Sequence, residues 1–348
     1  MLRFLRNTLH PARYHGRLHN QRPPFFEGWY FKVIDATERH RFAFIPGIFW
    51  SGRSHSFVQV NDGEQAKAHY HDHPVEAFWA ADDRFEVHVG PNRFTHNAMT
   101  LVIDHHEVQS TSEGGSHLAA GLSVAGTLRF GGLTPWPVTW TAPGIMGWYA
   151  WVPFMECYHG VLSLDHTIYG ALTIDGQEID FSGGRGYIEK DWGRNFPEAW
   201  IWLQTNHFEQ PGTSLTASIA IIPWGPTAFP GFIIGLWHAE RLYRFATYTG
   251  AKTQRLHVTE HTIEWVVGNR DHRLEMFITQ GEGSTFGLLK GPDTFEMGKR
   301  VAESLSATAH VCLTDRAGRV LFEGTGRNAG LEVHEVEARL LGMVGSRQ

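Results

Sequence analysis

Apolar residues in this 348-residue chain alternate with polar ones; they almost nowhere recur at the three- and four-residue spacing that lets a helix bury one face. The chain reads as short runs rich in Val, Ile, Phe, Tyr, Trp and Thr, closed by Gly, Asn and Asp. FFEGWYFKVID, RFAFIPGIFW and HSFVQVNDG come first, then RFEVHVG, AMTLVIDHH and LSVAGTLRFGG. A Trp/Pro-rich stretch leads into CYHGVLSLDHTIYGALTIDG. AWIWLQTNHF, SLTASIAIIPWG, FIIGLWHAERLYRFATY, RLHVTEHTIEWVVG and HRLEMFITQG follow, and ATAHVCLTDRAGRVLFEG turns on a DRAG hairpin. Strands at about ten-residue spacing build antiparallel sandwiches or barrels, so the expected fold is all-β. One short helix is expected over 295–304 (FEMGKRVAES).

The length suits two units of about 170 residues each. No low-complexity linker marks a boundary. The charged segment GGRGYIEKDWGRNFPE gives way to AWIWLQTNHF, which divides the chain into 1–190 and 191–348 and puts the charged loop at the junction, a common place for a pocket.

Composition narrows the function. Aromatic residues are 13% of the chain, with 13 Trp and 23 Phe, which calls for a large apolar interior or a ring-walled cavity. The net charge of -6 carries no basic stripe, so nucleic-acid binding lacks its electrostatic footprint. Cys157 and Cys312 read as buried free thiols of a reducing cytoplasm, not as a disulfide. The basic amino-terminal stretch MLRFLRNTLHPARYHGRLHN lacks the apolar core and cleavage site of a secretion signal. It reads as an arm packed on the domain, with peripheral membrane contact as the second reading. No run of about 18 apolar residues is present to span a bilayer.

Charge among the rings singles out the chemistry. In FFEGWYFKV, strand geometry puts Glu27 on one face with Phe25, Trp29, Phe31 and Val33. A carboxylate there either pairs with a cation such as Arg185 or Arg194, or stays protonated and able to donate. In GGRGYIEKDWG, Tyr187, Glu189 and Asp191 share one face, and Lys190 and Trp192 the other. Two neighbouring carboxylates push their pKa values apart, which leaves one as an acid at neutral pH; alternatively Lys190 and Arg194 satisfy both as a polar plug. Trp200, Trp202, Gln204 and Asn206 run from apolar to hydrogen-bonding along one strand face, which suits a greasy ligand with a polar head. Glu156 with Tyr158, and Cys157 with His159, take opposite faces; Glu156 or His159 could assist proton transfer, against the commoner role of a satisfied buried polar group. His69, His71 and His73 share a face and could hold zinc, but their surroundings read as polar and turn-like. The histidines of DHH at 104–106 and of LDHT are weaker still. No phosphate loop, nucleophile elbow or dinucleotide fingerprint is present.

FFEGWYFKV, GWYAWVPFMECYHGVLSLDH and GGRGYIEKDWGRNFPEAWIWLQTNHF, in that order, resemble the tocopherol cyclase family. The resemblance implies two tandem lipocalin-like β-barrel domains, akin to carotenoid 1,2-hydratase-like proteins. It implies an intramolecular lyase of the isomerase class that needs no cofactor, metal or nucleotide. An acid protonates the alkene of a prenylated hydroquinone, and the phenolic oxygen captures the tertiary cation. Capture by water would make the protein a hydratase of a related isoprenoid, and a non-catalytic lipid carrier is the alternative. On this resemblance Asp191 is the first candidate for the acid, with Glu189 and Glu27 as alternates. Trp29, Trp192, Trp200 and Trp202 would line the cation's path, and Tyr187, Gln204 and Asn206 would hold the head group. The short amino terminus looks bacterial.

Overall fold

The computed structural model describes residues 2–16, 23–104, 107–112, 115–280, 286–293 and 295–345; the expectation for the histidines at 105 and 106 falls outside them. As the alternation predicts, the regular structure of the described residues is almost wholly strand, laid out in two large antiparallel sheets. The fold is all-β, in two compact units. One compact unit comprises Met1–Phe196 and Gly287–Val301, the other Pro197–Phe286 and Ala302–Gln348.

In the first unit the strand Arg185–Gly193 lies between Phe25–Ile34 and Cys157–Tyr169, near the middle of the sheet. Alternation then sorts its residues onto two faces. One face is packed with aromatic rings, where Phe31 stands 5.5 Å from Phe94 and 6.1 Å from Phe130 by ring centroids. Burial of each such ring contributes about 1.5–3 kcal/mol, so this side is a filled core. Gly193, at φ 150°, ends the strand where an added Cβ would stand 2.3 Å from the carbonyl oxygen of Glu156. Gly193→Ala is expected to cost about 1–3 kcal/mol of stability in a denaturant melt. Gly52→Ala, where a Cβ would meet nothing within 4 Å, is the control.

In the second unit Ser214–Trp224 and Thr227–His238 form a long hairpin, paired from Ser214–Trp237 to Trp224–Thr227. Ile201, Leu203, Leu215, Ile234, Trp265, Met276 and Val311 belong to its buried core.

Three expectations need correction. No helix forms over 295–304: residues 295–297 bend, and the chain is extended in the strand Lys299–Asp315. Pairing with Val320–His334 buries alternate residues Leu305, Ala307, Ala309 and Val311, which outweighs the weak helical preference of so short a segment. The HYHDH stretch is not a turn, because cross-strand pairing with His55–Asp62 holds it in the strand Lys67–His73. Both cysteines are free, but half-buried rather than buried.

Candidate functional site

The two faces of Arg185–Gly193 carry different chemistry. On the core face, Lys190 and Glu27 are both fully buried and form an ion pair with Nζ 2.6 Å from Oε1. Glu27 is saturated: the backbone N–H of His15 donates to both carboxylate oxygens at 2.9 Å, and that of Gly16 to Oε2 at 3.0 Å. Burial pushes the Glu27 carboxyl up, but Lys190 and His15 outweigh it and hold the group below its ordinary range. Burial brings Lys190 down to about 8, so it remains an ammonium at neutral pH. Its Nζ donates to the carbonyl oxygens of Pro11 (2.9 Å) and Arg13 (2.5 Å) and to Nδ1 of His15 (2.7 Å). It also lies 4.5 Å from the Trp192 ring centroid and 5.0 Å from that of Trp29. Burial, with the Lys190 charge, takes His15 to about 4 and keeps it neutral. Since His15 Nδ1 accepts from the ammonium, its proton sits on Nε2, 3.2 Å from the carbonyl oxygen of Asn7. The pair therefore pins the amino-terminal arm to the sheet.

The opposite face gathers the acids. The register sets His159 directly across from Asp191, and alternation brings Glu189 and Tyr187 onto the same side. His159 Nδ1 is 2.9 Å from Asp191 Oδ1, and Nε2 is 3.6 Å from Glu189 Oε2. The Tyr187 hydroxyl donates to that same Glu189 oxygen at 2.5 Å. Burial lowers the His159 pKa, yet the Glu189 and Asp191 carboxylates outweigh it and lift the ring to about 9. At neutral pH the imidazole is thus charged, and its Nδ1–H donates to Asp191. Asp191 is the accessible member, with its side chain 29% exposed against 14% for His159 and 6% for Glu189. Gly28 stands across from Asp191 on the neighbouring strand, so no side chain covers it there. Two residues from Gly28 and from His159 respectively, Phe26 and Cys157 belong to a ring cluster with Phe49, Phe57 and Tyr70. A proton source and an apolar aromatic wall therefore share one sheet face. Tyr187→Phe removes a donor to a buried carboxylate and is expected to cost about 1.5–3 kcal/mol, read from a denaturant melt.

The sequence candidates separate accordingly. Asp191, Glu189, Tyr187 and His159 come together. Glu27 does not join them; its partner is Lys190 rather than Arg185 or Arg194, and Arg185 pairs with Asp165. Saturated as it is, Glu27 has no proton to give. Trp29 and Trp192 flank the Lys190 ammonium on the face away from the acids. Glu156 lies just before the strand, accepting from Asn195 Nδ2 at 3.4 Å. Trp200, Trp202, Gln204 and Asn206 are buried residues of the second unit, where Trp200 Nε1 donates to Glu332 Oε2 at 2.7 Å. His69 and His71 are buried in their strand. Among the described residues the group of metal-ligating types that converges is His159, Glu189 and Asp191, with ligand atoms within 4.8 Å of one another. An ion there would have to displace a proton from the His159 imidazolium that the two carboxylates stabilise. Sequence reasoning missed His15, whose role is set by a contact with Lys190 across 175 residues and leaves no local signal.

The family profile described as tocopherol cyclase-like matches residues 23–335. A rice protein (Oryza sativa subsp. japonica) named "Probable tocopherol cyclase, chloroplastic" is 26% identical over 369 residues, which cover 89% of this chain and 75% of that protein. The maize (Zea mays) "Tocopherol cyclase, chloroplastic" is 27% identical over 215 residues, covering 54% of this chain and 41% of the maize protein. Among solved structures, that of CghA with Sch210972 aligns over 90% of this chain and 89% of its own, at 11% identity and a TM-score of 0.48. With the profile running from before the Glu27 strand to the last strand of the second unit, the chain belongs to the tocopherol cyclase-like family.

Proposed function

We propose that this cyclase-like protein closes a ring on a prenylated hydroquinone by acid catalysis, with Asp191 as the proton donor. The observation that carries the reading is the imidazolium of His159 held between two carboxylates, beside an apolar ring cluster. His159 passes its Nδ1 proton to Asp191 Oδ1, and Asp191 delivers it to the alkene. The π pair becomes the new C–H bond, leaving a tertiary cation on the more substituted carbon. The rings of Phe26, Phe49, Phe57 and Tyr70 are placed to stabilise positive charge nearby. A lone pair of the phenolic oxygen forms the C–O bond, and the phenol's proton passes to Glu189. The cluster's proton count is restored, and substrate and product are isomers. A carrier would have no use for a charged histidine shared between two acids.

Incubation with a prenylated hydroquinone, followed by mass spectrometry, tests the reading. A product of unchanged mass that has lost one phenolic hydroxyl is expected. A product heavier by one water would make the protein a hydratase, and recovery of unaltered substrate would leave only a carrier.

The pH dependence follows from His159. Its folded pKa of about 9 lies above the ordinary 6.5, so its contribution to stability is fully present below 6.5 and is lost as pH rises through about 9. Catalysis that draws its proton from the imidazolium should fall about tenfold per pH unit beyond that point. A pH–rate profile checks it, and a rate still flat at high pH would exclude His159 as the proton source.

A further inference from the structure

We infer that the aromatic loop before the strand Cys157–Tyr169, with the amino-terminal helix beside it, is a docking surface for an anionic lipid bilayer. Between Arg129 and Glu156 the sequence contains no Asp, Glu, Lys, Arg or His. The segment has a buried foot in Trp136, Ile145 and Met146, yet it leaves Trp140 67%, Trp148 45% and Phe154 62% exposed. Large rings held in water next to a buried anchor mark a surface that meets something apolar.

The chemistry of the patch favours lipid over a protein partner. Trp and Tyr settle at the headgroup level of bilayers, where a ring is apolar and its N–H or O–H stays wet. The loop is held in shape rather than loose: Trp140 and Trp151 stack at 6.1 Å and 11°, and Trp151 Nε1 donates to the Trp140 carbonyl oxygen at 3.0 Å. Charge supplies the second argument. The helix Leu2–Thr8 meets the loop through Phe4, whose ring lies 6.1 Å from that of Trp151. Residues 1–16 contain Arg3, Arg6 and Arg13 and no acid. Burial lowers the pKa of His10, and the charges of Arg13 and Arg6 lower it further, which sets the two arginines close to it; Asp83 is the countercharge facing Arg13. A cationic arm against an uncharged aromatic loop matches an anionic leaflet in sign and in polarity. The Tyr158 hydroxyl donates to the Val152 carbonyl oxygen at 2.5 Å, so the loop is tied to the strand that carries His159. No described helix is long and apolar enough to cross a membrane, and docking needs none.

The full-length protein would be sedimented with phosphatidylcholine vesicles, and with vesicles of phosphatidylcholine mixed with phosphatidylglycerol. Stronger binding to the mixed vesicles is expected, with tryptophan fluorescence quenched by brominated lipid. The triple variant Trp140→Ser, Trp148→Ser, Phe154→Ser should lose binding by about tenfold or more without a shift in its melting temperature. Arg6→Glu with Arg13→Glu should lose the preference for anionic vesicles alone. If the triple variant does not fold, bromolipid quenching of the native chain and of the single variant Trp140→Ser still decides the matter. No quenching and no sedimentation of the native chain would overturn the inference. So would a lipid-free dimer in analytical ultracentrifugation that the triple variant abolishes, since the patch would then be covered by a second copy. None of these readouts uses turnover, so they stand or fall apart from the cyclase reading.

Discussion

Asp191→Asn is expected to abolish ring closure while leaving the fold in place. The amide keeps the side chain's shape, and its oxygen can still accept from His159 Nδ1, now 2.9 Å from Asp191 Oδ1. What it cannot do is release a proton to carbon. General acid catalysis contributes about 10²–10⁴-fold, so product formation should drop by that much. Product would be counted by mass spectrometry and the fold checked by thermal melting. Turnover within tenfold of the native rate, with the fold intact, would move the acid to another member of the cluster. His159→Gln would then be the next variant to assay, because it removes the charge and keeps a hydrogen-bonding side chain.

Lys190→Met should be the most destabilising of the substitutions considered. It leaves the Glu27 carboxylate in a site with no exposure, still facing three donated backbone N–H bonds but without the ammonium at 2.6 Å. Removing one partner of a buried pair costs about 3–5 kcal/mol. Because Nζ also holds the carbonyl oxygens of Pro11 and Arg13, the arm should loosen, and trypsin should cut after Arg13 faster than in the native protein. Adding Glu27→Gln should recover part of the lost stability, since the uncompensated charge is gone. A Lys190→Met protein as stable and as protease-resistant as the native chain would show that the pair does not hold the arm.

These two residues are adjacent in sequence and opposite in role, which a period of two makes readable. Alternation along YIEKDW separates Tyr187, Glu189 and Asp191 from Lys190 and Trp192, because side chains on a strand must take turns. The same rule predicts that Glu27 shares its side with rings, and that Trp200, Trp202 and Gln204 line up along one face. Alternation with turn residues at about ten-residue spacing carries the rest of what was legible: an all-β chain with acids set into an apolar surround.

Local pattern says which residues share a face but not which strand arrives beside them. The chain-distant strand Arg185–Gly193 enters between Phe25–Ile34 and Cys157–Tyr169, and only that insertion gives Lys190 to Glu27 and His159 to Asp191. An arginine such as Arg185 or Arg194 is the sequence's candidate partner for Glu27; the register, which sets Trp29 across from Lys190 and Glu27 across from Trp192, chose the lysine that lies between those arginines in the chain. Likewise Gly287–Val301 belongs with the first unit although it follows most of the second, and 299–304 is strand rather than helix. Short segments carry too little intrinsic preference to resist a partner that offers a ladder of hydrogen bonds and a buried face. Periodicity is written in neighbours along the chain, whereas ion pairing and protonation depend on burial and on groups brought from 32 residues away, as His159 is from Asp191, to 175, as His15 is from Lys190.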